Sequence, residues 1–332
     1  MTGHPPRAPW QQALARAIRD PEQLVERLRL PCDLLPAARR AAGLFPLRVP
    51  ECYADRMRPG DPDDPLLAQV LPLRAEFDEA PAFLDDPVGD SAALRGQGVL
   101  HKYHGRALLV ATGACAVHCR YCFRRHFPYA DANASADRWR SALDYLADHD
   151  DVSEVILSGG DPLTLNDQRL TALARALAEI PHLRRLRIHS RLPVVLPERV
   201  DAALLHWLTT SRLKPVMVIH ANHGNEIDAG VADAVARLRE RQVPVLNQAV
   251  LLAGVNDSVE AQAELNERLF DAGVMPYYLH LLDRVRGAAH FEVDEPRARH
   301  LHAELRARLP GYLVPRLVRE DAGAPAKTPI TP

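Results

Sequence analysis

The sequence predicts an α/β protein: an open, partial (β/α)6 barrel preceded by a mostly helical N-terminal extension. Three observations carry this. From about residue 107 onward, short apolar runs alternate with amphipathic stretches of helical period. Six such strand–helix units in a row imply a parallel sheet with right-handed crossovers, and six is too few for a closed eight-stranded barrel. The first hundred residues lack this alternation and read as short helices broken by proline.

In chain order, "PWQQALARAIRDPEQLVERLRL" has helical periodicity with a proline break, and "LPAARRAAGLF" is a further short helix. "VPECYADRMRPGDPDDPLLAQVLPLRAEF" is rich in Pro and Asp and reads as loops with short helices. The predicted strands are "ALLVAT" (107–112), "SEVILSG" (153–159), "LRRLRIHS" (183–190), "PVMVIH" (215–220), "VPVLNQAVLL" (243–252) and "VMPYYLHL" (274–281). Helices are expected near 137–149, 167–179, 197–210, 226–241 and 258–272, with a last one in "EPRARHLHAELRARL". The tail "DAGAPAKTPITP" has no periodicity. This divides the chain into a helical extension (1–100), a partial barrel (101–290) and a C-terminal helix with its tail (291–332).

Composition narrows the function. The chain has 332 residues, 47% hydrophobic and 25% charged, as in ordinary globular proteins. A net charge of −2 without a basic block gives no electrostatic reason to expect nucleic-acid binding. The N-terminus lacks a signal-peptide pattern, and no apolar run approaches the ~20 residues of a membrane span. The expectation is a cytoplasmic protein with reduced thiols. Its 5 cysteines, an odd number, argue against a disulfide framework and for metal binding. Lysine and arginine total 41, yet only Lys102, Lys214 and Lys327 are lysines. Where arginine serves elsewhere, a retained lysine marks a place where an amine nucleophile is of use.

In barrels of this kind the chemistry sits at the C-terminal ends of the strands. There the sequence places "TGACAVHCRYCFRRH", "SGGDP", "HSRLP", "HANHGNE", "NQ" and "HLLD". Cys115, Cys119 and Cys122 form C-x-x-x-C-x-x-C, a ligand array. A zinc site would take its fourth ligand from His118 or His126. A [4Fe–4S] cluster takes four thiolates, so three leave one iron open to a small molecule.

With Tyr121 before the last cysteine and "SGGDP" one strand downstream, the chain resembles the radical S-adenosylmethionine (SAM) enzymes. In that family the open iron chelates SAM, and Ser158, Gly159, Gly160 and Asp161 match the stretch that contacts its amino group. The segments "HKYHGRALLVATGACAVHCRYCFRRHF", "HSRLPVVLPERV", "HANHGNEI", "NQAVLLAGVND", "PYYLHLLD" and "KTP" follow in the order of the lysine 2,3-aminomutase family, over residues ~95–332. The resemblance implies a radical SAM barrel, isomerase activity and a third cofactor, pyridoxal 5′-phosphate (PLP). Lys327 matches the family's PLP lysine. Lys102 and Arg106 match its phosphate contacts, although the family usually has Arg at the first position. Arg124 matches the residue that pairs with the substrate carboxylate, and Asp283 an acid that takes the distal ammonium of lysine. Glu320 stands where a second such acid is expected, with Asp321 beside it. His220, His223 and Gln248 lie at the rim, where SAM or PLP contacts and structural roles are both open.

This chain ends at Pro332, soon after the KTP motif, whereas the clostridial-type enzymes continue into an extension with zinc-binding cysteines. Cys32 and Cys52 have no partner array, so no zinc site is expected. The short form resembles the branch linked to elongation factor P, which implies (R)-β-lysine made from L-lysine for a ligase that modifies that factor. An electron donor such as flavodoxin or ferredoxin is implied too. The competing readings are a radical SAM modification enzyme without PLP, and a metal-binding, non-enzymatic module that docks on a translation factor.

Overall fold

A computed structural model describes residues 8–95, 98–129 and 136–330; the ends of the N-terminal and C-terminal segments discussed above lie outside the described residues. Ten strands form one sheet in sequential order: β1 (Leu94–Arg95), β2 (Val99–Tyr103), β3 (Arg106–Thr112), β4 (Glu154–Gly159), β5 (Arg185–Ser190), β6 (Lys214–Ile219), β7 (Val245–Val250), β8 (Met275–His280), β9 (Arg316–Arg319) and β10 (Thr328–Pro329). From β3 to β9 every neighbouring pair is parallel, and the two ends are antiparallel hairpins. Among the described residues β1 and β10 do not pair, so the barrel is open.

The six strands read from the sequence are β3 to β8. The sheet also runs past both boundaries drawn at residues 100 and 290. β1 and β2 precede it, and β9 and β10 bring the aperiodic tail onto its far edge. Those segments are short and half polar, so periodicity does not reveal them.

The helices between strands start on local caps. Asn166, Asp201, Asp228, Ser258 and Asp294 each accept from a backbone N–H three residues on. β4 is buried along its whole length, as a central parallel strand must be. On β5 and β7 buried and partly exposed residues alternate. Arg106 and Leu108, Arg187 and His189, Gln248 and Val250, and Tyr278 and His280 all face one internal cavity.

The N-terminal residues share the barrel's hydrophobic core. They cross its C-terminal rim: His118 N donates to Arg48 O at 3.0 Å, Arg120 N to Gln69 O at 2.9 Å, and Arg56 Nη2 to Val194 O at 2.6 Å. Leu84 bridges to Val285. Among the described residues no helix is long and apolar enough to cross a membrane.

Candidate functional site

A cavity of about 390 Å³ opens at the C-terminal ends of the strands, with Cys115, Cys119 and Cys122 in its lining beside Ser158, Gly159, Gly160 and Asp161. The cysteine loop follows β3 and lies against the loop after β4. Gly160 N donates to Thr112 O and Asp161 N to Ala114 O, each at 2.7 Å. This approach explains the glycines. A Cβ on Gly160 would stand 2.4 Å from Ala114 O, and one on Gly159, whose φ is +119°, would stand 2.5 Å from Thr112 O.

The residue types fit an iron–sulfur cluster. All five cysteines are free. Cys32 is exposed and Cys52 donates to Val195 O at 3.2 Å, so neither lines the cavity. Among the described residues no trio of His, Cys, Asp or Glu converges as ligands of a single ion would; the thiolates of a cluster bind separate irons. Burial and the neighbouring Cys122 push the Cys115 thiol well up, and burial with Cys119 brings Cys122 to about 11. Iron binding overrides such shifts by taking the thiolate directly.

Asp161 lines the cavity, but its carboxylate is committed to protein partners. It accepts from Leu163 N, Ser190 Oγ, Arg191 N and Leu192 N at 2.7 to 3.1 Å, so it clasps the loop after β5 to the loop after β4. Of the rim histidines, His220 and His223 part company. His223 lies outside the cavity lining, and its Nδ1 accepts from Asn225 N at 3.1 Å as a local cap. His220 faces the cavity, 3.0 Å from Gln248 Nε2, and burial with Arg191 and Arg124 nearby lowers it to about 4. Burial holds His189 and His280 well below the usual range as well, so all three rings are neutral near pH 7.

The opposite part of the cavity carries charge. Lys327 Nζ donates to Glu320 Oε2 at 2.7 Å. Lys102 Nζ donates to Glu320 Oε1 and to Val88 O, both at 2.9 Å, and sits 2.6 Å from Asp90 Oδ1. This departs from the sequence expectation for Lys102. Glu320 and Val88 take two of its three N–H donors and Asp90 balances its charge, so the ammonium is engaged by protein groups rather than set apart for a phosphate. Arg106 differs: it stacks 4.6 Å from the Tyr103 ring centroid and has no hydrogen-bond partner among the described residues. Burial disfavours the charge on Glu320, yet Lys327 and Lys102 outweigh it and bring the carboxyl down to about 2. Asp283 is half-buried and unpartnered among the described residues; burial and Glu320 raise it to about 7.

Arg124 donates through Nε to Asp90 Oδ2 at 2.6 Å and through Nη1 to Ser158 Oγ at 3.2 Å, which leaves Nη2 for a ligand. Asp90 and Arg191 were not legible as site residues. "GDSAAL" reads as a helix start, and Arg191 follows a strand like any loop cation. The residues present also suit PLP. Lys327 supplies an amine and Arg106 a free guanidinium, while the buried His280 Nε2 has no partner among the described residues.

The model of the radical SAM superfamily matches residues 109–265, which cover β3 to the helix Val259–Asp271. The chain is 50% identical to the L-lysine 2,3-aminomutase of Escherichia coli over 98% of this chain and 95% of that protein. It is 47% identical to that of Haemophilus influenzae over 96% and 94%, and 34% identical to that of Clostridium subterminale over 97% and 78%. Streptococcus suis SuiB superposes with a TM-score of 0.48 at 16% identity, over 66% of this chain and 50% of that one. The fold and the cysteine loop thus define a radical SAM protein, a class built around a [4Fe–4S] cluster and SAM. Within that class, the chain belongs to the lysine 2,3-aminomutase family.

Proposed function

We propose that the protein is an isomerase: a PLP-dependent L-lysine 2,3-aminomutase that makes (R)-β-lysine for the modification of elongation factor P. The observation that carries this reading is a shared cavity. Lys327, Glu320, Asp283 and Arg124 line the same space as the three cysteine thiols. When bound, the cluster with SAM supplies a carbon-centred radical that takes a hydrogen atom, and PLP supplies a conjugated carrier for the migrating amino group.

In this reading Cys115, Cys119 and Cys122 hold the cluster. Ser158, Gly159, Gly160 and Asp161, with His220 and Gln248, would bind SAM. Lys327 holds PLP and Arg106 its phosphate. Lys102 supports the site by fixing Glu320. Arg124, braced by Asp90 and Ser158, presents Nη2 to the substrate carboxylate. Asp283 and Glu320 receive the distal ammonium. A cation brought beside Asp283 ionises a carboxyl that burial otherwise holds near neutrality. The N-terminal residues cover the rim and keep water from the reacting groups. The reading also includes a low-potential electron donor such as flavodoxin or ferredoxin, a cytoplasmic setting, and a ligase that passes the product to elongation factor P.

Anaerobic turnover tests this. The protein, reconstituted with iron, sulfide and PLP, is given SAM, reductant and L-lysine, and β-lysine is sought by chromatography and mass spectrometry. Cys119→Ala and Lys327→Ala are expected to abolish it. Formation of 5′-deoxyadenosine independent of lysine, with no β-lysine, would retain the radical half and reject the substrate. The link to elongation factor P is tested separately, by the mass increase of that factor when the ligase is supplied with the product.

A further inference from the structure

Arg191 joins the N-terminal residues to the cysteine loop. It follows β5, is 5% exposed, and divides its guanidinium between two tasks. Nη1 donates to Cys119 Sγ at 2.7 Å. Nη2 donates to Gln69 Oε1 at 2.7 Å, Glu226 Oε2 at 2.9 Å and Tyr53 OH at 3.0 Å. The guanidinium carbon lies 5.5 Å from the Tyr53 ring centroid and 5.7 Å from that of Tyr121, so it sits between two aromatic rings. The backbone N–H of Arg191 is fixed on Asp161 at 2.8 Å.

We propose that Arg191 is a positioning residue that raises the reduction potential of the cluster held by Cys119, and that Tyr53 and Gln69 of the N-terminal extension hold it in place. The inference rests on the cluster reading above. Hydrogen bonds to ligand sulfurs and nearby positive charge both set cluster potentials, because reduction adds negative charge that they stabilise. The low dielectric of a buried site strengthens the effect. Glu226 does not cancel it. That carboxylate meets the far edge of the guanidinium, and Asn222 N, His223 N and Gln69 Nε2 also donate to it, at 2.8 to 3.1 Å. The edge that faces the sulfur remains a cationic donor. Swinging Arg191 away would break the contacts of Nη2 and leave Glu226, fully buried, without its cation. Through Arg191, Tyr53 and Gln69 of the extension thus reach the sulfur of a cluster ligand.

The test is an EPR-monitored redox titration of the full chain after anaerobic reconstitution, with iron counted per chain. In Arg191→Gln the ratio of reduced to oxidised cluster at a fixed potential is expected to fall about tenfold, equivalent to ~59 mV for a one-electron couple, at unchanged iron content. Arg191→Lys should recover part of the shift, and Tyr53→Phe should shift the potential the same way by less. An Arg191→Gln cluster with the parental potential would overturn the proposal, as would an unchanged potential with weakened SAM binding, which would make Arg191 a SAM contact. Should Arg191→Gln fail to hold iron, Tyr53→Phe decides, and its parental potential would overturn the proposal. Failure of the parental chain itself to form a cluster would sink the cluster reading instead.

Discussion

Lys327 and Glu320 lie seven residues apart and meet at 2.7 Å because β9 and β10 pair antiparallel beneath them. Thr328 Oγ1 closes the same turn on Asp321 at 2.6 Å, and Ile330 is buried behind it. The pairing turns a tail of Ala, Gly and Pro into an ordered edge. It also sets Glu320 where its carboxylate spans both Lys102 and Lys327.

Glu320→Gln should destabilise the protein by about 3 kcal/mol in urea unfolding near pH 7, because the partly buried Lys327 loses its paired carboxylate and Lys102 keeps only Asp90 of its two. Glu320 lies at about 2, below the ordinary 4.5, so its stabilisation is present above about 4.5 and is lost as pH falls toward 2. The gap between parent and variant should therefore narrow from pH 6 to pH 3.

Asp283 should give lysine binding a pH dependence. Its carboxyl is raised to about 7, so below that pH it is protonated and cannot attract an ammonium. The KM for lysine should rise as pH falls from 8 to 6, by up to about tenfold per unit below the pKa. Asp283→Asn should raise KM at every pH and flatten the profile in that range.

Glu76 is fully enclosed between Arg120 and Arg125, with the latter donating at 2.7 Å. Glu76→Ala leaves two buried guanidinium groups unpaired. A loss of about 3–5 kcal/mol is expected. Arg120 and Arg125 flank Cys122 in the cysteine loop, so reconstituted variant should also retain less iron, as measured by metal analysis.

Two glycines offer a contrast. Gly160→Ala places a Cβ at 2.4 Å from Ala114 O, a backbone atom that cannot retreat. Its melting temperature should drop sharply, or soluble protein should be lost. Gly43→Ala lies within the helix Leu35–Leu44 and meets nothing within 4 Å. It should stabilise by about 0.5–1 kcal/mol.

The strands β3 to β8 and the helices between them were readable because their signals are local: apolar runs and helical periods lie within a dozen residues of chain. The cysteine loop was readable for the same reason, since its three ligands fall in one short motif. Asp161 shows the limit. The sequence marks it as part of the glycine-rich stretch, but its carboxylate holds the loop after β5, a partner some thirty residues on. Lys102 shows it again, because the acids that take its donors were invisible as neighbours.

By itself, then, the sequence determined the strand–helix alternation, the thiol triad with its glycine-rich companion, and the family to which these motifs belong. Only the tertiary structure decided who pairs with whom. Lys102 meets Glu320 across 218 residues, Gln69 meets Glu226 across 157, and Arg191 meets Tyr53 across 138. Such contacts form where the opened barrel, its N-terminal cover and its returning tail converge. Periodicity cannot encode them, because a charged side chain takes its partner from whatever the closed fold brings within about 3 Å.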